Sequence, residues 1–184
     1  PSMSTRRRRP DGAGAPPFAI ATIADPRGGG IGVCRLPGRH GALASDVAAI
    51  AAWSPRLVLS LTTPAELDAY GAGRLGDLLA SRRIGWLHFP IPDFCVPDAA
   101  ASRRWPGLAA RLHEALDGGG GVLLHCMGGR GRSGMIALRL MVERGTEPEA
   151  ALAALRSAVP GAVETSAQYD WASAGRTRLE HGGA

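Results

Sequence analysis

The sequence contains no lysine, and all 21 of its basic residues are arginine. Aromatic side chains make up only 5% of the residues, and the three cysteines form no CxxC pair. Three separated cysteines cannot all pair within one chain, which argues against a disulfide-based fold and predicts a reducing, cytoplasmic setting. Together with the abundance of alanine, the all-arginine composition indicates a GC-rich genome and favours a bacterial source.

No apolar stretch approaches the roughly 20 residues that a membrane-spanning helix needs. Arginines near the start are typical of secretion signals, but Pro10, Asp11, Pro16 and Pro17 interrupt the segment that follows them. We therefore expect neither an export signal nor a membrane span.

The positive charge is concentrated near the start of the chain. Arg6–Arg9 supply four of the five net positive charges, so the remainder is nearly neutral and no nucleic-acid partner is expected. Residues 1–17 consist largely of Arg, Pro, Gly and Ala, which predicts a disordered tail. Residues 18–180 are predicted to form one domain, and residues 181–184 a frayed end.

Between these ends, short β-type runs alternate with helical patterns. The predicted strands are Ile31–Leu36, Leu57–Leu61, Ile84–Phe89 and Val122–His125. This alternation predicts an α/β fold of three layers, in which a central, mostly parallel sheet of four to five strands is flanked by helices.

Several helix boundaries can be read from capping patterns. Thr63-Pro-Ala-Glu66 predicts a capping box that opens a helix, and Thr165-Ser-Ala-Gln168 predicts another. A helix over Asp98–Leu116 contains Pro106, which we expect to break or kink it. The helix after Ser133 is expected to stop at Gly145.

The segment His125-Cys-Met-Gly-Gly-Arg-Gly-Arg-Ser-Gly134 follows a predicted strand and runs into a helix. A loop at such a junction directs several backbone N–H groups at one point, and the helix dipole adds positive potential there. Its glycines allow the backbone to approach an anion closely. Such a loop suits a phosphate group. The residues expected to bind it are Met127, Gly128, Gly129, Arg130, Gly131 and Arg132.

This arrangement suits nucleophilic chemistry on a phosphate ester. The positive potential favours the thiolate of Cys126, which can attack phosphorus and form a phosphocysteine. The guanidinium of Arg132 can bind two phosphate oxygens, and the Ser133 hydroxyl can donate to the sulfur in the second step. No metal or cofactor is expected. A buried cysteine in a glycine-rich turn is the structural alternative.

The segment HCMGGRGRSG resembles the H-C-x5-R-[S/T] signature of the protein tyrosine phosphatase superfamily. GVCRLPGR, LTTPAEL, FPIPDFCVPD and ETSAQYDWA resemble segments, in the same order, of the kinase-associated phosphatase (cyclin-dependent kinase inhibitor) group of dual-specificity phosphatases. The resemblance spans roughly Ile31 to Leu179. It implies that family's fold, a phosphocysteine mechanism and a phosphorylated protein substrate.

The general acid must be a carboxyl group on a loop that faces the phosphate. FPIPDFCVPD offers two, and the motif places the family's acid on Asp93, whereas Asp98 is expected to cap the following helix. The resemblance places Gln168 where some relatives position the hydrolytic water, although a capping role competes with this. Glu164 stands where relatives often carry another glutamine. A protective disulfide between Cys95 and Cys126 is a further hypothesis.

Glu66 is predicted to cap its helix, with pairing to Arg132 as the alternative. His125 is expected to order the loop through hydrogen bonds.

Two other functions remain open from the sequence. Phosphoinositide phosphatases carry basic residues beside the cysteine and within the loop, and here Arg130 fills one such place whereas Met127 does not fill the other. A non-catalytic phosphate-binding module is the second, although relatives of that kind usually lose the cysteine, the arginine or the acid. No upstream phosphotyrosine-recognition segment is evident, which by resemblance implies the shallow pocket of dual-specificity enzymes. The sequence does not specify the oligomeric state.

Overall fold

The computed structural model describes residues 16–25 and 29–175. The predicted tail before residue 16 and the predicted frayed end lie outside the described residues. Five strands form one sheet: β1 (Ala21–Ala24), β2 (Gly30–Arg35), β3 (Pro55–Ser60), β4 (Gly85–His88) and β5 (Gly121–Cys126).

The strand order in the sheet is β1-β2-β5-β3-β4. β1 pairs with β2 in antiparallel register, whereas the other three pairings are parallel. The central position of β5 matters for the site, because this strand has a neighbour on each side and ends at Cys126.

Within the described residues, seven helices surround the sheet: α1 (Leu43–Trp53), α2 (Pro64–Ala69), α3 (Leu75–Ala80), α4 (Ala99–Asp117), α5 (Gly131–Glu143), α6 (Pro148–Ala158) and α7 (Ser166–Ser173). Apolar side chains of α1 and α3 pack on one face of the sheet. Those of α4, α5, α6 and α7 pack in the larger core on the other face. The predicted three-layer α/β fold is therefore confirmed.

The two cores explain why the strands read as nearly continuous apolar runs. In β5, Val122 and Leu124 belong to the larger core, whereas Leu123 between them belongs to the smaller one. Successive side chains of a strand point to opposite faces, so a sheet covered on both sides buries every position. Burying three aliphatic side chains of this kind contributes about 1.5–3 kcal/mol each.

The four predicted strands are confirmed, with boundaries that differ by one or two residues. β1 was missed, because its sequence ATIA buries only Ile23 and so lacks a strong apolar alternation. It takes the edge of the sheet, where one buried side chain and backbone pairing to β2 are sufficient.

Three of the predicted caps are confirmed by their hydrogen bonds. Thr63 and Glu66 form the reciprocal capping box of α2, Asp98 caps α4 by accepting from Ala101 N at 2.7 Å, and Thr165 caps α7. Each such cap stabilises its helix by about 1 kcal/mol.

Of the two effects expected of Pro106, a break or a kink, the break does not occur. α4 runs continuously from Ala99 to Asp117 through Pro106. Pro106 lies on the exposed side of the helix, where water can take the place of the hydrogen bond that proline cannot donate. α5 ends one residue before Arg144, and Gly145 follows with a φ of +96°, as predicted for its stop. No helix within the described residues is long and apolar enough to span a membrane.

Candidate active site

The candidate site is the loop from Cys126 to Arg132, called the phosphate loop below. It leaves the carboxyl end of the central strand β5 and enters the first turn of α5 at Gly131. Ligand sites in open α/β sheets lie beyond the carboxyl ends of the strands, and this loop is at that edge.

The backbone N–H groups of this loop are available to an anion. Within the described residues, the backbone N–H groups of residues 127–133 donate no hydrogen bond. Two loop carbonyls do bond to other segments: Met127 O accepts from Leu36 N at 3.3 Å, and Arg130 O accepts from Val163 N at 3.3 Å. The loop thus uses its carbonyls for support and keeps its amides for a ligand, as predicted for an anion-binding site.

Close packing explains two glycines of the loop. Gly129 has a φ of +74°, and a Cβ there would lie 2.7 Å from the carbonyl carbon of Cys34 in β2. A Cβ on Gly131 would collide with the Glu164 carboxylate and lie 3.3 Å from Gln168 Nε2. Neither position accepts a side chain without movement of its neighbours. Gly128, by contrast, has space around it.

The candidate nucleophile lies at the base of the loop. Cys126 is 3% exposed, and its sulfur is 3.2 Å from the Ser133 hydroxyl. Ser133 belongs to the first turn of α5, so the hydroxyl and the helix N-terminus face the same sulfur. This geometry suits a thiolate, because both the hydroxyl and the helix dipole favour a negative charge.

Arg132 is fully buried, and groups from outside its own loop hold its guanidinium. Its two terminal nitrogens each donate to the Glu66 carboxylate at 2.8 Å, and Nη1 also donates to Ile91 O at 2.9 Å. Nε is buried and has no hydrogen-bond partner among the described residues. Because an unsatisfied buried donor costs about 1–3 kcal/mol, this N–H is suited to a ligand that enters the loop.

The Glu66 carboxylate therefore performs both roles that the sequence left open. It caps α2 by accepting from Thr63 N at 2.7 Å, and it binds Arg132 in bidentate fashion. Burial alone would raise the pKa of Glu66, but the hydrogen bonds from Arg132 and Thr63 outweigh burial and lower it. The carboxylate is thus ionised at neutral pH, when it orients the guanidinium.

The candidate acid lies on the loop between β4 and α4, called the acid loop below. Asp93 Oδ1 is 3.1 Å from Arg132 Nη2, and its side chain is 51% exposed. Asp98 is used as the cap of α4, which leaves Asp93 as the carboxyl group of this loop that reaches the site. The next residue, Phe94, has a φ of +57° and is 60% exposed. Such a conformation is unfavourable for an aromatic residue, and it presents the ring to solvent beside the acid.

Gln168 is fully buried and turned toward the phosphate loop. Its backbone N–H completes the cap with Thr165, but its side chain does not return to Thr165 as in a reciprocal capping box. Instead Oε1 accepts from Glu164 N at 2.9 Å, and Nε2 donates to Cys95 O at 3.4 Å. The amide therefore joins the acid loop to the segment before α7, and its Nε2 lies next to Gly131 of the phosphate loop.

His125 supports the loop from below. Its Nε2 is 2.5 Å from the Ser60 hydroxyl, which also accepts from Trp86 Nε1 at 2.7 Å. Burial lowers the pKa of His125 to about 3, so the imidazole is neutral at physiological pH. The predicted role as a hydrogen-bonding support is in keeping with this geometry.

The remaining predicted residues lie around the loop in different ways. The Met127 side chain packs against the small apolar cluster of Leu36, Leu67 and Ala72. Arg130 precedes α5 with its side chain exposed. The thiols of Cys34, Cys95 and Cys126 are all free, and that of Cys95 is exposed.

Sequence reasoning missed Arg39, whose Nη1 donates to Met127 O at 3.1 Å. The two residues are 88 positions apart, and only the fold brings them together. The nearest signal was the segment GVCRLPGR itself, which was used as a family marker without a role for its last arginine.

Comparison with known proteins places this site in a family. The family model "Cyclin-dependent kinase inhibitor 3" matches residues 29–152. The chain belongs to the cyclin-dependent kinase inhibitor 3 family. The mouse protein of that name is 31% identical over 157 residues, which cover 81% of this chain and 72% of the relative. The human protein is 30% identical over 158 residues, which cover 81% and 73% respectively.

Solved structures agree with this family assignment. A kinase associated phosphatase whose catalytic cysteine is replaced by serine superposes with a TM-score of 0.75 at 26% identity, covering 85% of this chain and 93% of that one. The active form of Tk-PTP gives a TM-score of 0.63 at 30% identity, with coverages of 77% and 87%. The predicted enzyme class, a cysteine-dependent protein phosphatase of the dual-specificity type, is confirmed. The curated relatives named above are mammalian and give no support to a bacterial source.

Proposed function

We propose that this member of the cyclin-dependent kinase inhibitor 3 family hydrolyses phosphorylated protein side chains with Cys126 as nucleophile and Arg132 as phosphate-binding residue. The observation that carries the proposal is the buried Arg132 Nε–H, which has no partner among the described residues and belongs to the loop that begins at Cys126. A phosphate bound by the loop amides would satisfy this N–H and place phosphorus next to the sulfur.

In the first step, the Cys126 thiolate attacks phosphorus, the S–P bond forms and the bond to the substrate oxygen breaks. A phosphate oxygen that binds Arg132 Nη2 competes with Asp93 Oδ1, which now lies at 3.1 Å from that nitrogen. Once released from Arg132, the half-exposed Asp93 carboxylate takes up a proton from solvent and gives it to the leaving oxygen.

In the second step, water hydrolyses the phosphocysteine. In this proposal Gln168 orients the water, and the support for this role is that its buried amide lies next to Gly131 and is held at both ends by backbone groups. Asp93, now a carboxylate, takes a proton from the water, and the Ser133 hydroxyl stabilises the departing Cys126 thiolate.

The substrate is proposed to be a phosphoprotein that carries phosphotyrosine, phosphoserine or phosphothreonine. The exposed Phe94 ring beside Asp93 offers an apolar surface to the substrate residue. A solved relative is called kinase associated, so phosphorylated kinases are the first substrates to examine. The free cysteines accord with the proposed cytoplasmic location.

Phosphoinositides are less favoured substrates. The Met127 side chain turns into an apolar cluster and supplies no positive charge to the loop. The Glu66, Asp93 and Glu164 carboxylates around the second half of the loop would repel additional phosphate groups on an inositol ring.

The test is to trap the covalent intermediate. The wild-type protein should turn over para-nitrophenyl phosphate and phosphopeptides, and rapid acid quench followed by peptide mass spectrometry should locate phosphate on Cys126. Cys126→Ser should bind phosphopeptide without turnover, whereas Cys95→Ser, which removes an exposed thiol, should still form the intermediate. Turnover that persists in Cys126→Ser would refute the proposed nucleophile.

A further inference from the structure

Arg39 lies beside the first half of the phosphate loop. Its Nη1 donates to Met127 O at 3.1 Å and is 3.9 Å from the position that a Cβ would take on Gly128. The side chain is half-buried, and no carboxylate within the described residues lies at ion-pair distance from it. A guanidinium carries five N–H donors, and a single hydrogen bond to a carbonyl leaves most of them for another acceptor.

The segment that carries Arg39 is fixed before any ligand binds. Gly38 N donates to the buried Asp46 carboxylate at 2.9 Å, and Leu36 N donates to Met127 O. Gly38 also has a φ of +82°, with Leu43 close to the place of a Cβ. A cation held in this way loses less conformational entropy when it binds an anion than a freely moving side chain does.

Charged side chains lie at the edges of both halves of the phosphate loop, and the second half also contains the exposed Arg130. Arg39 stands at the half that contains Gly128, whereas the Glu164 carboxylate contacts the half that contains Gly131. Asp93 lies on the acidic side as well, next to Arg132. A phosphorylated peptide that crosses the loop would thus meet Arg39, which has no carboxylate partner within the described residues, on one side of its phosphoresidue, and a mixture of acidic groups and Arg130 on the other.

On the basis of the proposed function, we infer that Arg39 is a specificity-determining residue that binds an acidic side chain adjacent to the phosphorylated residue of a substrate peptide. Neighbouring residues of an extended peptide are about 3.3 Å apart along the chain, so a carboxylate next to the phosphoresidue reaches the edge of the loop. A guanidinium suits this role, because its planar donors match the two oxygens of a carboxylate.

The experiment compares phosphotyrosine peptides that carry Asp or Asn immediately before or immediately after the phosphoresidue. For the wild-type protein, kcat/KM should be about fivefold to tenfold higher for Asp than for Asn at one of the two positions, mainly through KM. The preference should weaken as salt rises from 0.05 to about 0.5 M, because exposed charge pairs are screened. In Arg39→Gln the Asp/Asn ratio should fall to about one, and Arg39→Lys should restore part of it.

Arg82→Gln is the matched control. Arg82 also donates to a backbone carbonyl at 3.1 Å, but to Leu78 O of α3, and its variant should keep the wild-type ratio. The ratio cancels any general damage to the loop, so an equal loss on the Asp and Asn peptides in Arg39→Gln would assign Arg39 to loop support alone and overturn the inference. A ratio of one in the wild-type protein, or a ratio retained in Arg39→Gln, would also overturn it.

Two further outcomes separate the inference from the function on which it rests. Wild-type turnover of both peptides without an Asp preference removes the role of Arg39 and leaves the phosphatase intact. Turnover of no phosphopeptide, with hydrolysis of a soluble inositol bisphosphate instead, would refute the protein-phosphatase proposal and this role together.

Discussion

Glu66→Gln is the substitution that best isolates the support of Arg132. The glutamine keeps the size of the side chain and one carbonyl oxygen, so it can still accept from Thr63 N and cap α2. It removes one of the two acceptors that bind the guanidinium at 2.8 Å. Loop support and helix capping, both carried by Glu66, are thereby separated.

The size of the effect follows from the hydrogen bond that is lost. Hydrogen bonds to charged groups contribute about 1.5–3 kcal/mol, and a decade in rate corresponds to about 1.4 kcal/mol. If the freed guanidinium no longer meets the phosphate in the fixed orientation, kcat/KM should fall about 10-fold to 100-fold. Because the Glu66 side chain is 21% exposed, the loss in stability should be smaller, about 1 kcal/mol, or a decrease in Tm of about 2–4 °C.

Lowering the pH should reveal the contribution of the Glu66–Arg132 interaction to stability. The pKa of Glu66 is lowered in the folded protein from 4.5, so the stability that its carboxylate contributes is present at pH values above 4.5. That contribution is lost as the pH falls through the lowered folded pKa. The difference in unfolding free energy between wild type and Glu66→Gln should therefore be constant near neutral pH and disappear in acid.

The assays are steady-state kinetics on a phosphopeptide, vanadate inhibition and thermal melting across this pH range. Glu149→Gln is the control, because Glu149 is an exposed acidic residue in the first turn of another helix, α6. If Glu66→Gln lost stability but matched Glu149→Gln in kcat/KM and in vanadate affinity, Glu66 would act as a cap only, and the argument for orientation of Arg132 would be wrong.

Three other substitutions test separate parts of the site. Asp93→Ala should slow phosphothreonine peptides about 100-fold or more but para-nitrophenyl phosphate much less, since only a poor leaving group needs the proton, and equal slowing would exclude Asp93 as the acid. Gln168→Ala should slow phosphocysteine hydrolysis relative to its formation, so stopped-flow measurements should detect a burst of para-nitrophenol. A reduced kcat without a burst would assign a structural role to Gln168 instead. The pKa of His125 falls from 6.5 in the unfolded chain to about 3 when the ring is buried, so the stability that the neutral ring contributes should be full above pH 6.5. Below pH 6.5 the free energy of unfolding should decrease toward pH 3 by up to about 1.4 kcal/mol per pH unit. Urea titrations of His125→Asn should lack this slope, and an unchanged slope would contradict the assignment.

Local patterns in the sequence predicted most of the fold because they report local physics. The apolar runs of the parallel strands, the caps at Thr63 and Asp98 and the stop at Gly145 each depend on residues within a few positions of one another. β1 escaped because one buried isoleucine at a sheet edge gives too little pattern. Pro106 misled because its effect depends on whether its side of the helix faces solvent.

The candidate site likewise contains residues that local sequence patterns predict and partners that they do not. Cys126, Arg132 and Ser133 lie in one short segment, so their spacing indicated their chemistry. The partners that orient them come from distant segments: Glu66 is 66 positions from Arg132, and Cys95 is 73 positions from Gln168. No periodicity links such pairs, and the family resemblance supplied Asp93 and Gln168, which spacing alone does not predict.

The acid loop is attached to the rest of the site at two points, and this has a consequence for the order of events. Asp93 contacts Arg132 Nη2, and the Cys95 carbonyl accepts from Gln168 Nε2. A phosphate that takes Nη2 breaks the first contact but leaves the second, so the loop remains anchored next to Gly131 while its carboxyl group is freed. The residue proposed to position water in the second step therefore also holds the acid in place for the first. In the proposed mechanism both half-reactions would depend on the same amide, which lies with Ala172 on the buried face of α7.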